Sequence, residues 1–92
     1  MEFWEAIAVQ LRQARTAQSA DDVVRIFQPP SSADAFFAGS GGNDSLESAL
    51  DDAGWTHIWR VAHYYWAMRA PDGSEITYIE GDIYRGNRPP IG

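Results

Sequence analysis

Ninety-two residues suffice for one domain and sit near the lower limit at which a single core is stable on its own. The chain has no cysteine, which excludes a disulfide framework, a thiolate zinc site and a cysteine nucleophile together and fits a reducing compartment, by default the cytoplasm. Its formal net charge of −6 is the opposite of the basic balance that neutralises phosphates, so duplex nucleic acid is not an expected partner.

With 45% hydrophobic residues and four Trp, the composition is that of a folded chain. All seven basic residues are Arg and Lys is absent, a bias that fits a GC-rich bacterial or phage genome. The N-terminus opens Met1-Glu2-Phe3-Trp4-Glu5, with acids where a signal peptide needs bases, and no apolar run reaches the roughly 18–20 residues of a membrane span. Neither export nor membrane insertion is expected. The charge is lopsided: residues 1–54 carry three Arg against nine acids, whereas residues 55–92 carry four of each.

In chain order, Phe3, Ile7, Leu11 and Ala14 recur at helical spacing and predict an amphipathic helix over 2–17, its stripe widened by Trp4 and Ala8. Glu2 and Glu5 in its first turn and Arg12 and Arg15 in its last complement the helix dipole. Ser19 is placed to cap a second helix running to Gln28, with Asp21 and Asp22 in its first turn and Val23, Val24, Ile26 and Phe27 as contacts. Pro29-Pro30 stops it. Residues 29–43 read as a flexible loop, in which Ser32 to Ala38 could close one turn that pins Phe36 and Phe37, before the linker Gly39-Ser40-Gly41-Gly42-Asn43. Asp44 with Glu47 resembles a capping box, and Leu46, Ala49, Leu50 and Ala53 make a third helix that Gly54 ends.

From Trp55 the composition turns to Trp, Tyr, Ile, Val and Thr, which suit a half-buried sheet; helical spacing over 55–66 is the competing reading. Ala70-Pro71-Asp72-Gly73-Ser74 decides for strands, since proline presets the first corner of a turn and glycine accepts the positive-φ position. The expected hairpin pairs Arg69 with Glu75, Met68 with Ile76, Trp66 with Tyr78 and Tyr64 with Glu80. Its first strand would be over-long, so a bulge or bend is expected near Ala62. Residues 87–92, with Pro89-Pro90, read as a tail.

No stretch carries a strong catalytic, metal or nucleotide motif, and no cofactor is expected. His57 and His63 are six apart in a strand, roughly 20 Å, too far to share a metal. His63 with Glu80 or Asp82 is the one pairing able to do acid–base work and supports an alternative reading as a small enzyme or ligand-binding domain. Gly81 within Tyr78 to Arg85 reads as a bulge in an edge strand. Two surfaces offer themselves to a protein partner. One is the aromatic outer face of the hairpin, with Trp59, Tyr64, Trp66, Tyr78, Tyr84 and Arg85, residue types that dominate interfaces. The other is an acidic helix face of Glu47, Asp51 and Asp52, which suits a basic partner because carboxylates at a helix C-terminus oppose the dipole. A homodimer through paired hairpins is equally allowed. The sequence thus predicts an α+β fold, with two to three short helices packed on a C-terminal antiparallel hairpin, and a small cytoplasmic protein-interaction module of the inhibitor, immunity or phage-accessory kind.

Overall fold

The computed structural model describes residues 3–27, 38 and 45–87. Among the described residues three helices, α1 (Phe3–Ala14), α2 (Ala20–Ile26) and α3 (Leu46–Asp52), precede four strands, β1 (Thr56–Ala62), β2 (Tyr65–Arg69), β3 (Glu75–Ile79) and β4 (Asp82–Arg85). The fold is α+β as expected, but the sheet is a four-stranded antiparallel meander in chain order, not a two-stranded ribbon.

Two unanticipated reversals make the difference. The over-long first strand does not merely bend near Ala62; it turns back at His63-Tyr64, so that Ala62 pairs with Tyr65. Neither turn residue adopts a positive φ, and a turn of that hand does not match the strand twist. The ladder accordingly shifts register between Arg60 and Ala62, and again between His57 and Trp59. The second reversal uses Glu80 (φ 47°) and Gly81 (φ 98°) as a two-residue loop closed by the pair Ile79 and Asp82. Positive φ at both positions is the mirror-image turn that two-residue hairpins favour, so Gly81 is a turn residue and not a bulge inside a strand.

The central hairpin forms as its turn chemistry dictates. Arg69 faces Glu75, Met68 faces Ile76 and Trp66 faces Tyr78, and the Glu80 amide donates to the Tyr64 carbonyl at 2.8 Å. Gly73 holds φ 91° and donates to Ala70 O at 2.9 Å, while the Asp72 carboxylate accepts from the Ser74 amide at 2.9 Å and hydroxyl at 2.5 Å. These two bonds, the hydroxyl's first, hold the Asp72 carboxyl below its ordinary pKa.

The helices are shorter than predicted. In α1, Ile7, Leu11 and Ala14 are buried, whereas Ala8 faces solvent. Ser19 caps α2 as expected, its hydroxyl accepting from the Asp22 amide at 3.2 Å. The Asp22 carboxylate accepts from the Gln18 amide at 2.9 Å, the main cause of its lowered pKa. For α3 the cap is Ser45, which accepts from the Ser48 amide at 3.1 Å; Glu47 therefore sits too early in the helix to complete a capping box. Its other end closes with Gly54 at φ 94°, where Gly54 N donates to Asp51 O (3.1 Å) and Trp55 N to Leu50 O (3.0 Å). That paired closure satisfies carbonyls the helix leaves free. Pro29-Pro30, the turn from Ser32 with Phe36 and Phe37, the glycine linker, Asp44, the side chains of Phe3 and Trp4 and the segment 88–92 lie outside the described residues; Ala38 is described and buried.

One face of the sheet joins the helices. Trp66, Met68, Ile76 and Tyr78 pack with Leu11, Ala14, Val23, Leu46, Leu50 and Trp55 in a single core. The loop between α1 and α2 locks the layers together. Trp55 Nε1 donates to Ala17 O at 2.9 Å, and the Ser74 hydroxyl at the hairpin tip accepts from Ala20 N at 2.8 Å. The tip thereby satisfies a donor at the start of α2 that the helix cannot.

Candidate partner-binding face

Register fixes which rings share a side. Opposed residues in a ladder project together and neighbours alternate, so His57, Trp66, Met68, Ile76, Tyr78 and Ile83 lie toward the helices. Trp59, Tyr65, Ala67, Thr77, Ile79 and Tyr84 lie on the outer side. This divides the aromatic set proposed from sequence. Trp66 and Tyr78 are 0% and 1% exposed, stacked with centroids 5.0 Å apart and planes within 7°, and belong to the core, not to any contact surface. Burial, with Asp82's charge adding, pushes the Tyr78 phenol far above its usual range.

Trp59 and Tyr84 do lie on the outer face, half-buried, and Tyr65 joins them. The Trp59 and Tyr65 rings meet edge to face, centroids 4.9 Å apart at 84°. Tyr64, in the turn between β1 and β2, is 42% exposed, and Val61, near the end of β1, is 57% exposed. Val61 is the residue left over by the register shift between Arg60 and Ala62, and a bulge of this kind re-aims a side chain off the pleat. The sequence signalled the irregularity but not which residue it would expose. Arg85 is spoken for, its guanidinium 2.9 Å from Asp21 of α2. The shifts at Ile58 and Val61 also break up the outer edge of β1, which works against edge-to-edge pairing of two copies.

The acidic helix face does not assemble. Glu47, its side chain only 13% exposed, accepts on one oxygen from His57 Nε2 (2.5 Å) and Arg60 Nε (2.7 Å). It ties α3 to β1. Asp52 lies 3.5 Å from Arg15, which answers the mismatch with the helix dipole inside the molecule; Asp51 points into solvent. The alternative site is dispersed as well. His63 is exposed in the β1–β2 turn with its ring edge-on to Tyr64 at 5.3 Å, and among the described residues no hydrogen bond or ion pair joins it to Glu80 or Asp82. No group of three His, Asp or Glu side chains among the described residues is placed to hold a metal.

A surface depression of about 450 Å³ lies between α1 and α2, lined by Gln13, Thr16, Ala17, Asp22, Arg25 and Ile26, and its two charged groups pair with each other. No described helix is long and apolar enough to cross a membrane. No protein-family profile, curated protein or solved structure matches the chain.

Proposed function

We propose that this chain is a small cytoplasmic protein-interaction module, of the inhibitor, immunity or phage-accessory kind, which meets a protein partner through the outer face of its sheet. The contact is Trp59, Tyr65 and Tyr84 with the projecting Val61 and Tyr64. The observation that carries this reading is that Trp59, Tyr65 and Tyr84 share the one side of the sheet that the helical core leaves out, while Val61 and Tyr64 at the β1–β2 reversal are two of the three large hydrophobics exposed among the described residues. Tyr and Trp supply large contact area with few rotors, and a clustered patch of them is what interfaces use. Glu80 in the β3–β4 turn and Asp82 at the start of β4, both exposed, favour a partner that brings Arg or Lys.

The test is capture from a lysate of the source cells at low salt, with wild type and a Val61→Asp/Tyr65→Ala variant as parallel baits. A stoichiometric protein held by the wild type and lost by the equally folded variant is expected. Equal retention by both, or no stoichiometric partner together with a strict monomer by light scattering, would count against the proposal.

A further inference from the structure

The outer face has an occupant supplied by the chain itself. Ala67 and Thr77, at its centre, are fully buried, yet neither belongs to the core that the helices form. Immediately after β4 the chain turns at Gly86, whose φ of 88° is left-handed, and whose amide donates to Glu75 O at 2.7 Å. The Thr77 hydroxyl then donates to Gly86 O at 2.7 Å, from the outer face of β3. Finally the Trp59 indole N–H, on the far edge strand β1, donates to the Asn87 side-chain oxygen at 2.6 Å. Gly86 and Asn87 thus link β4 to β1 across two intervening strands. From sequence alone Asn87 reads as the first residue of a tail.

We infer that Gly86-Asn87 is a clasp that closes the outer face and competes with whatever binds there. The inference rests on the reading of that face as the contact surface. An interfacial Trp ordinarily uses its N–H as the polar handle toward a partner, and here that donor is already engaged. A partner must displace Asn87 or offer Trp59 a better acceptor, so the clasp sets a threshold for binding. Its release frees the indole and uncovers the apolar centre of the sheet around Ala67 and Thr77.

The experiment needs no partner, which separates failure of the clasp from failure of the functional reading. Hydrogen exchange of the Trp59 indole is followed by NMR in wild type and Asn87→Ala, the resonance being assigned by its loss in Trp59→Phe; binding of the neutral dye Nile red is measured on the same samples. Asn87 is exposed, so the variant folds as the wild type does. Exchange about fivefold faster in Asn87→Ala, the effect of losing one ordinary hydrogen bond, with stronger Nile red emission that Trp59→Ala then abolishes, is the expected result. Unchanged exchange overturns the clasp. Faster exchange with unchanged dye emission overturns its role in masking the face.

Discussion

The two faces of the sheet carry the same residue types and use them in opposite ways. On the helical side Trp66 and Tyr78 lie parallel and sealed from solvent; on the outer side Trp59 and Tyr65 meet edge-on and stay half in water. What separates them is strand alternation together with where the helices can reach. α1, α2 and α3 supply enough apolar surface for one face, and the other has the chain's own Gly86-Asn87. Aromatic content alone therefore does not locate an interface. Side of the sheet does.

That contrast can be broken by substitution on either side. The largest effect belongs to Trp66→Ala, which removes a buried ring from the stack with Tyr78 and is expected to cost about 3–5 kcal/mol, read by chemical denaturation. Gly54→Ala forces a side chain into the left-handed conformation at the end of α3 and is expected to cost about 1–2 kcal/mol in the same measurement. Ser19→Ala, which removes the cap of α2, is expected to cost about 1 kcal/mol. On the outer side Tyr64→Ser should change stability by no more than about 0.5 kcal/mol while weakening partner capture. A large loss of stability there would erase the distinction between the faces.

A pH titration sharpens the comparison away from the outer face, where the Asp22 carboxylate holds the start of α2 and the Asp72 carboxylate the tip of the central hairpin. Both carboxyls sit below their ordinary 3.8 in the folded chain. Their bonds therefore contribute stability that is present above about pH 4 and is lost as pH falls through the folded values. Asp72→Asn should flatten the acid limb of melting temperature against pH below about pH 4, and leave outer-face binding at neutral pH unchanged.

Much of the fold was legible because local chemistry announced it. Ser19 as a cap, Gly54 as a stop and Pro71-Asp72-Gly73 as a turn each act through their own backbone, and the register of the central hairpin followed from the turn alone. The reversals at His63-Tyr64 and Glu80-Gly81 were harder to see. The first contains none of the residues that mark turns, and in the second a single glycine reads equally as a bulge. The site was legible only in kind. Trp66 and Tyr78 were placed among the contact residues because a ribbon of two strands cannot hide so many rings, whereas a sheet of four under three helices can. Glu47 and Asp52 read as unanswered charges from sequence, and their partners belong to other elements, His57 and Arg60 to the strand that follows α3 and Arg15 to the loop after α1, which no helical pattern within α3 reveals.

The most direct test of the division between faces is fluorine NMR of protein labelled with 5-fluorotryptophan, comparing resonance positions in light and heavy water. The account predicts a clear solvent isotope shift for Trp59 and none for Trp55 and Trp66. A shift at Trp66, or silence at Trp59, would contradict it.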